Sequence, residues 1–547
     1  MRADVSDTSR SFASATMNFF RRDSVVFVVL GVGFVARWLL AGTHSYWLDE
    51  LYSVAVYGVW NDSVIEAINS LASSSVHPPL YQSILYGWMS WLGDGEEATR
   101  LLSNLYVTLA GFFLYMLVRD AFNRMVALWS TAVFSLMYAT MYFGLEARSY
   151  AQTIFLATLS SYLLLRIMTK GAERGWRSAI SSLAGLALVL VNTALLLTHY
   201  YNGFFLIAQA FCVAVFIFVE LSPRKWITGL GTAGTMYGLP VALFAAIWGR
   251  TFIATYRVET DASAAAGALD PIGPIELIRD GLFHLNLSAP GVALIAGGTL
   301  MTAILVRSAI ALSAPKPLDH ERRSAYTTFY LIAWLILPLA GAYAAMSLLG
   351  VDRFSDRYFL FSTVALAPII VLIIAEAWRL VSSISQRLRR VPFAGVVGIT
   401  SVIVIATTIA PGTYSAAASD KADWRGIAQE IIGVVESDPD SSYTLYETSF
   451  RTTPILDYYL ARYSEGVRVD GTIRRAEERS GGDFDFEKDE SIIEQHDYLI
   501  VAFTHHSTRH FPIALANMEE RYEVQHRHLD PGGRGYVVFR TGPEQGR

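Results

Sequence analysis

A polytopic α-helical membrane protein of about eleven spans, followed by a C-terminal water-soluble α/β domain, is predicted by three observations. The 547 residues are 53% hydrophobic and only 17% charged, against about 25% charged in ordinary soluble proteins. Mean hydropathy is +0.36. Apolar stretches long enough to cross about 30 Å of hydrocarbon recur through the first three quarters of the chain and then stop. Such a composition excludes a cytosolic enzyme, and 13% aromatic residues exclude a disordered chain. A net charge of −5 argues against nucleic acid as a partner, which normally needs a basic face. The single cysteine, Cys212, excludes a disulfide framework within one chain.

The spans are expected at 24–42, 101–118, 125–144, 151–168, 178–198, 203–220, 227–248, 291–311, 326–349, 357–378 and 392–411. The first follows Arg21 and Arg22 with no small-residue cleavage site after it, so it reads as an uncleaved anchor. Residues 79–92 are apolar but too few to span, and loop charge decides their placement. If they do not cross, the basic loops Arg119–Arg124, Lys170–Arg177, Pro223–Trp226, Lys316–Arg323 and Arg379–Arg390 share one side with Arg21 and Arg22. If they cross, the later basic loops move outside, against the positive-inside rule. The segment is therefore expected as an interfacial or re-entrant helix on the outer face. The domains follow: a cytoplasmic N-terminus 1–23, a membrane region 24–411 with a first outer loop 43–100, and an extracytoplasmic α/β domain 412–547.

The segments His44–Pro78, Glu146–Tyr150, His199–Asn202, Arg250–Pro290 and Asp352–Tyr358 then emerge outside. Within 250–290, Ile275–Leu285 is amphipathic enough to lie on a membrane surface. After Thr413 helix-like 424–436, strand-like 443–447, helix-like 454–463, strand-like 498–503, then 513–522 and 536–539 alternate as in a small α/β domain.

Chemistry-bearing residues gather at the outer boundary. Trp47-Leu48-Asp49-Glu50 sets two adjacent carboxylates under an interfacial tryptophan: a general base with a positioning neighbour or metal ligand, or a solvated loop with a Trp anchor. His77-Pro78-Pro79-Leu80-Tyr81 enters the interfacial segment through two helix-stopping prolines, as a site element or as punctuation. Glu146-Ala147-Arg148-Ser149-Tyr150 sits between two spans, where ionisable groups face a cavity or pair with one another. His199, Tyr200, Tyr201 and Asn202 meet the same boundary, where an aromatic belt would explain the tyrosines equally well. Arg353, Arg357 and Tyr358 open the tenth span. Outer arginines run against the charge bias, so they call for an anionic partner such as a lipid phosphate, which suits the guanidinium fork. Arg37 and Arg100 are placed similarly, and snorkelling could explain any one of them. Three patterns read as decoys: the acidic triplet Asp483-Phe484-Asp485, the histidines His505, His506 and His510, and the glycosylation-like Asn286-Leu287-Ser288.

Trp47–Glu50, His77–Tyr81, the Arg100 segment, Glu146–Tyr150, Arg357-Tyr358 and the later Asp423-Trp424-Arg425 occur in an order that resembles prokaryotic membrane glycosyltransferases of the GT-C superfamily. These are related to dolichyl-phosphate-mannose protein mannosyltransferases and to aminoarabinose-to-lipid-A transferases. The resemblance implies a GT-C fold and inverting transfer of a sugar from a polyprenyl-phosphate donor to an acceptor hydroxyl at the outer face of the cytoplasmic membrane. The acceptor would be a protein, a lipid or an envelope polysaccharide. It implies Asp49 as general base with Glu50 beside it, and Arg37, Arg148, Arg353, Arg357 and Tyr358 at the donor phosphate. His77, Tyr81, Arg100, Glu146, Tyr150, His199 and Tyr200 would line the substrate site. Some relatives hold a metal, for which Glu50, His77 and Glu146 could supply ligands to a divalent ion. The chain departs from oligosaccharyltransferases in having no Trp-Trp-Asp, which argues against transfer of a whole glycan to asparagine. A lipid transporter or flippase, or a non-catalytic envelope receptor, is the alternative. Transporters show two related halves and a midplane site, and neither is evident here.

Overall fold

The computed structural model describes residues 23–74, 77–174, 182–265, 291–313, 319–349, 356–384, 393–404, 423–447, 453–463, 472–474, 493–503, 511–529 and 535–541. Contacts divide the chain into two units: 1–40, 68–84 and 100–418 form the first, and 41–67, 85–99 and 419–547 form the second.

The first unit is a helical bundle. Its helices are α1 (Val25–Leu40), α5 (Glu96–Ala121), α6 (Arg124–Leu136), α7 (Tyr138–Phe143), α8 (Tyr150–Arg174), α9 (Leu183–Leu196), α10 (Asn202–Glu220), α11 (Pro223–Ala265), α12 (Gly291–Ser313), α13 (His320–Leu349), α14 (Ser362–Ile384) and α15 (Phe393–Val404). Six described helices are long and apolar enough to cross a membrane, and Val25–Leu40, Arg124–Leu136, Leu183–Leu196 and Gly297–Ser313 are shorter apolar ones. The protein is thus a multi-pass membrane protein. Helix α4 (Leu80–Leu92) has 13 residues. At 1.5 Å per residue it reaches about 20 Å, short of a hydrocarbon core.

Starts are marked where the sequence supplies caps. Asn123 Oδ1 accepts from the Val126 N–H at 3.0 Å ahead of α6, and Ser182 Oγ accepts from Gly185 N–H ahead of α9. Inside the bundle, polar side chains find one another because lipid offers no partners. Gln209 Nε2 donates to Tyr330 Oη at 2.8 Å and to Ser160 Oγ at 3.1 Å, while Ser160 donates to Asn192 Oδ1 at 2.6 Å. Helices α8, α9, α10 and α13 are joined this way, around the buried rings of Phe205, Trp334 and Tyr330.

Two expectations need correction. The third span, 125–144, is not one helix: Met137 is extended (φ −62°, ψ 147°) and α7 restarts after it. The Thr140 hydroxyl stitches the break, donating to Met137 O at 2.9 Å and sharing Phe134 O. The loop expected to start at Arg250 starts inside α11, which continues to Ala265 because no helix breaker lies between Thr251 and Ala265. The amphipathic 275–285, Arg353, the glycosylation-like triplet, the acidic triplet and the three decoy histidines lie outside the described residues.

In the second unit α2 (Leu48–Leu51) runs into a π-helical segment Tyr52–Val59, neither expected, and the amphipathic α3 (Val64–Ser74) begins in this unit. The C-terminal part contains α16 (Trp424–Ser437), α17 (Thr453–Tyr463) and α18 (Phe511–Arg521) with one five-stranded sheet. Strands β1 (Tyr443–Glu447), β2 (Thr472–Arg474), β3 (Tyr498–Phe503), β4 (Glu523–Leu529) and β5 (Gly535–Arg540) are ordered β2-β1-β3-β5-β4. The β2, β1 and β3 strands are parallel and the other pairs antiparallel, with Tyr443 opposite Tyr498 and Ile500 opposite Val538. Strands β2 and β4 escaped the sequence reading. The first has three residues, and β4 (EVQHRHL) is a mostly exposed edge strand without an apolar face, a composition that discourages edge pairing.

Candidate active site

In the first unit one end of the bundle collects two histidines, two arginines and three tyrosines. Pro78 and Pro79 stop any helix before them, and α4 then starts, with Ser83 N–H bonded to Pro79 O at 3.0 Å. The Leu80 N–H instead reaches Leu197 O at 3.0 Å, beyond the end of α9, which fixes His77 beside His199. Their rings lie 5.5 Å apart, centroid to centroid. The Arg148 Nη2 donates to His77 Nε2 at 2.9 Å, a bond that requires the neutral imidazole with its proton on Nδ1. The Arg148 guanidinium also lies 5.9 Å from the Tyr150 ring centroid.

His199 is buried and its Nδ1 accepts from the Tyr201 N–H at 3.3 Å. The Tyr358 ring, delivered by the 3₁₀ turn Asp356–Phe359, packs at a tilt with its centroid 4.9 Å from that of His199 and 4.8 Å from that of Tyr201. Burial pushes the His199 imidazole down to about 3, and the positive charges of Arg148 and Arg357 push the same way. Burial, then Arg148, His199 and Arg357, hold His77 well below its ordinary value. Both imidazoles are therefore neutral at physiological pH, with Arg148 and Arg357 as their charged neighbours.

The other expected residues of this unit are placed as follows. Glu146 is fully buried, and its backbone carbonyl accepts from Ser103 Oγ at 2.5 Å and from the Arg148 N–H at 2.8 Å. Tyr81 and Arg100 are buried. Tyr200 turns away, its hydroxyl accepting from Trp248 Nε1 at 3.0 Å and its ring packing on Phe252 of α11. Its neighbour Tyr201 joins the histidines instead. The sequence offered no way to rank these two adjacent tyrosines, since one step along a turn sends side chains in different directions.

Arg37 lies fully buried between α1, α5 and α6. Its Nε donates to Asn104 Oδ1 at 2.7 Å, Nη1 to Ser135 O at 3.2 Å and Nη2 to Thr108 Oγ1 at 3.1 Å. Gly144 makes room for it, because a Cβ there would come within 2.6 Å of Arg37 Cδ. This geometry gives Arg37 a bracing role.

In the second unit, Asp49 and Glu50 occupy the single turn α2. Glu50 is fully buried and Asp49 half-buried. The Glu50 carboxylate reaches back to the Trp47 N–H at 3.4 Å, while Glu50 and Leu51 N–H groups bond Trp47 O at 3.0 and 3.1 Å. The turn is held by the C-terminal helices. Tyr459 Oη accepts from the Tyr46 N–H at 2.6 Å and donates to Glu96 Oε1 at 2.7 Å. The Tyr46 hydroxyl bonds Asp94 O at 2.8 Å, and Arg462 Nη1 pairs with Asp94 Oδ1 at 2.8 Å.

The Asp423-Trp424-Arg425 motif acquires a physical reading here. Asp423 Oδ1 caps α16 by accepting from the Gly426 N–H at 3.0 Å. The buried Trp424 gives its N–H to Ser45 Oγ at 3.0 Å. Arg425 donates to Gly42 O at 3.3 Å and lies 3.6 Å from Glu96 Oε1.

His77 Nε2 receives a guanidinium N–H, and among the described residues no three His, Cys, Asp or Glu side chains are grouped to hold a metal.

Residues 76–249 match the family model described as dolichyl-phosphate-mannose-protein mannosyltransferase, a stretch that contains His77, Arg148 and His199. No curated protein matches the chain in sequence. Among solved structures, ArnT from Cupriavidus metallidurans in the apo state is 12% identical with a TM-score of 0.52, covering 95% of this chain and 98% of ArnT. The Archaeoglobus fulgidus oligosaccharyltransferase in its apo form is 13% identical with a TM-score of 0.48, covering 95% of this chain and 75% of that one. ArnT bound to undecaprenyl phosphate has a TM-score of 0.47 at 13% identity, covering 95% and 98%. The ArnT comparison shows a common fold across nearly the whole of both chains, and the family match covers His77, Arg148 and His199 but not Arg357. Together they give this chain the fold of ArnT and, over residues 76–249, a similarity to the mannosyltransferase family.

Proposed function

We propose that the protein moves a sugar from a polyprenyl-phosphate donor to an acceptor hydroxyl, with inversion, at the outer face of the cytoplasmic membrane. The observation that carries the reading is the convergence of Arg148 and Arg357 on two neutral imidazoles, His77 and His199. Two fixed cations beside uncharged histidines make a site for an anion, and a lipid-linked sugar phosphate is an anion that reaches the protein through the membrane.

In this reaction the acceptor oxygen attacks the anomeric carbon while the carbon–oxygen bond to phosphate breaks. The electron pair leaves with the polyprenyl phosphate. Asp49 takes the acceptor proton, a role suited to a half-buried carboxylate beside a buried one. Arg148 and Arg357 offset the charge that grows on the departing phosphate, with Arg353 and Tyr358 as further donor contacts. His77 orients Arg148 by accepting a hydrogen bond from its Nη2. Tyr81, Arg100, Glu146 and Tyr150 complete the surroundings of the substrate.

The proposed orientation puts the Trp47–Glu50 turn and the C-terminal domain outside the cell and the basic helix ends inside, in keeping with the positive-inside rule. The acceptor is a protein, glycolipid or polysaccharide hydroxyl. The test is incubation of purified protein in lipid nanodiscs with radiolabelled polyprenyl-phosphate sugars and a membrane extract. Released polyprenyl phosphate together with a labelled acceptor is expected. Binding without release across a broad donor panel would overturn transfer in favour of lipid transport or an envelope receptor.

A further inference from the structure

Glu376 is a buried carboxylate within a candidate membrane span, and the proposed chemistry does not use it. An ionised group in such a helix is costly unless it is paired. Two guanidiniums meet it. Arg379, one turn further along α14, donates Nε to Glu376 Oε2 at 3.0 Å and Nη2 to Oε1 at 2.6 Å. Arg307 of α12 brings Nη1 to 3.1 Å from the same Oε2. Among the described residues neither arginine pairs with another carboxylate, so two cations share one anion and the triad keeps a net positive charge.

That charge is presented at a surface. The Arg307 and Arg379 side chains are 53% and 54% exposed, against 3% for the carboxylate between them. A guanidinium has five N–H donors, so one carboxylate divided between two of them leaves each with donors to spend. The pairing also fixes both planes in place, which prepares the remaining donors for a second anion.

The two arginines stand in a groove of about 590 Å³, whose other wall is one face of α12 from Thr299 through Ala303 and Val306 to Ile310. These positions recur at three- and four-residue steps, as a single helix face requires. Thr302 gives its hydroxyl proton to Gly298 O at 2.9 Å, so the charged donors of the groove are the arginines. Thr299, Thr302 and Ala303 are small and lie toward the middle of α12 from Arg307, where they leave room for a hydrocarbon chain. Arg379 lies seventeen residues beyond Ser362, the first residue of α14, which follows Tyr358 by four. That is about 26 Å along the helix. The groove is therefore at the opposite end of α14 from the candidate active site.

Charge and shape select the occupant. A soluble anion would satisfy the guanidiniums but leave the apolar α12 face uncovered, and a zwitterionic lipid would leave the net charge unbalanced. A lipid with a net negative headgroup meets both demands. We propose that this groove binds the headgroup phosphate of an anionic glycerophospholipid from the leaflet opposite the candidate active site, with an acyl chain along the α12 face.

The test is native mass spectrometry of the full-length protein in neutral detergent, titrated with phosphatidylglycerol or phosphatidylcholine. One retained phosphatidylglycerol per chain is expected, with phosphatidylcholine lost at the same collision energy. Arg307→Gln leaves the Arg379–Glu376 pair intact but removes the surplus charge, and should weaken phosphatidylglycerol retention about fivefold. Arg224→Gln, at an exposed position on α11 outside the groove, should leave retention unchanged. Equal retention of the two lipids, unchanged retention in Arg307→Gln, or an equal loss in Arg224→Gln would overturn the proposal. The comparison of lipids on the unaltered protein needs no variant and decides the matter if Arg307→Gln does not fold. Inorganic phosphate at millimolar level should leave the lipid adduct in place; complete displacement would assign the arginines to a soluble anion and defeat the lipid assignment.

Discussion

Tyr459 Oη lies 2.6 Å from the Tyr46 backbone nitrogen, a hydrogen bond between residues 413 positions apart. Tyr46 is three residues before Asp49, so a C-terminal helix fixes the backbone that leads into the acidic turn. The same phenol donates to Glu96 at 2.7 Å, and Tyr46, Tyr458 and Tyr459 pack ring against ring. Removing only the Tyr459 hydroxyl keeps the aromatic packing and leaves the Tyr46 N–H and the Glu96 carboxylate each short of a bond. Tyr459→Phe should cost about 1–3 kcal/mol and reduce turnover with little change in donor affinity. Thermal melting and donor titration check this. A variant with wild-type stability and wild-type turnover would show that the contact does not position the turn.

Asp49→Asn tests the proposed base. The amide is isosteric with the carboxylate but cannot take a proton, so turnover should fall about 100- to 10,000-fold while donor binding and melting stay near wild type. Parallel binding and single-turnover assays separate the two quantities. Loss of donor binding in step with turnover would remove Asp49 from the base role.

Arg357→Gln tests the donor end. Loss of one charge-assisted contact to phosphate should weaken donor binding about 10- to 100-fold, with a further fall in turnover if the charge serves the leaving group. The readout is the donor dissociation constant beside the single-turnover rate. An unchanged dissociation constant would place the donor phosphate elsewhere.

Much of this was legible in the sequence because membrane spans and aligned motifs are local signals. Runs such as 151–168 and 203–220 announce themselves by hydropathy alone, and α16 by its Asp423 cap and apolar stripe. What escaped had no local signature. The break at Met137 depends on Thr140 turning back to two carbonyls, and the short strand β2 is defined only by its pairing with β1. Arg37 looked like an outer-leaflet arginine. Its partners Asn104, Thr108 and Ser135 come from two other helices, and no spacing along the chain reveals them. The Tyr459–Tyr46 bond is invisible for the same reason. The histidine cluster was half legible: His77, Arg148, His199 and Tyr358 were singled out from sequence, but the choice of Tyr201 over Tyr200 required the backbone.

The neutral histidines predict how stability responds to pH. His199 is held at about 3 by burial and by Arg148 and Arg357, against about 6.5 in an unfolded chain. Between those values the unfolded state binds a proton that the native state refuses, so stability rises with pH through this window and falls as pH is lowered. His77 adds to the same trend, since its bond from Arg148 exists only while the imidazole is neutral. Melting temperature should therefore decline from about pH 6.5 downward, and His199→Gln should flatten the decline while lowering the plateau. A decline of equal steepness in the variant would assign the acid sensitivity to other groups.

The Arg37 brace makes the last prediction. Arg37 and Asn104 are both buried within the first unit, and Asn104 Nδ2 also donates to Phe34 O at 3.0 Å, so the pair links α1 to α5 twice. Arg37→Met keeps the volume of the stem and removes the donors, leaving Asn104 Oδ1, Thr108 and Ser135 O without this partner in a medium that supplies no water. The expected cost is about 2–5 kcal/mol, read as a lowered melting temperature. Gly144→Ala should produce a loss of the same kind without touching any polar group, because its Cβ would press within 2.6 Å of both Arg37 Cδ and Thr140 O. A bracing arginine predicts that both variants lose stability while any correctly folded fraction binds donor with unchanged affinity. A phosphate-binding arginine predicts the reverse for Arg37→Met, a stable protein with weakened donor binding. Measuring melting temperature and donor affinity on the same preparation separates the two roles.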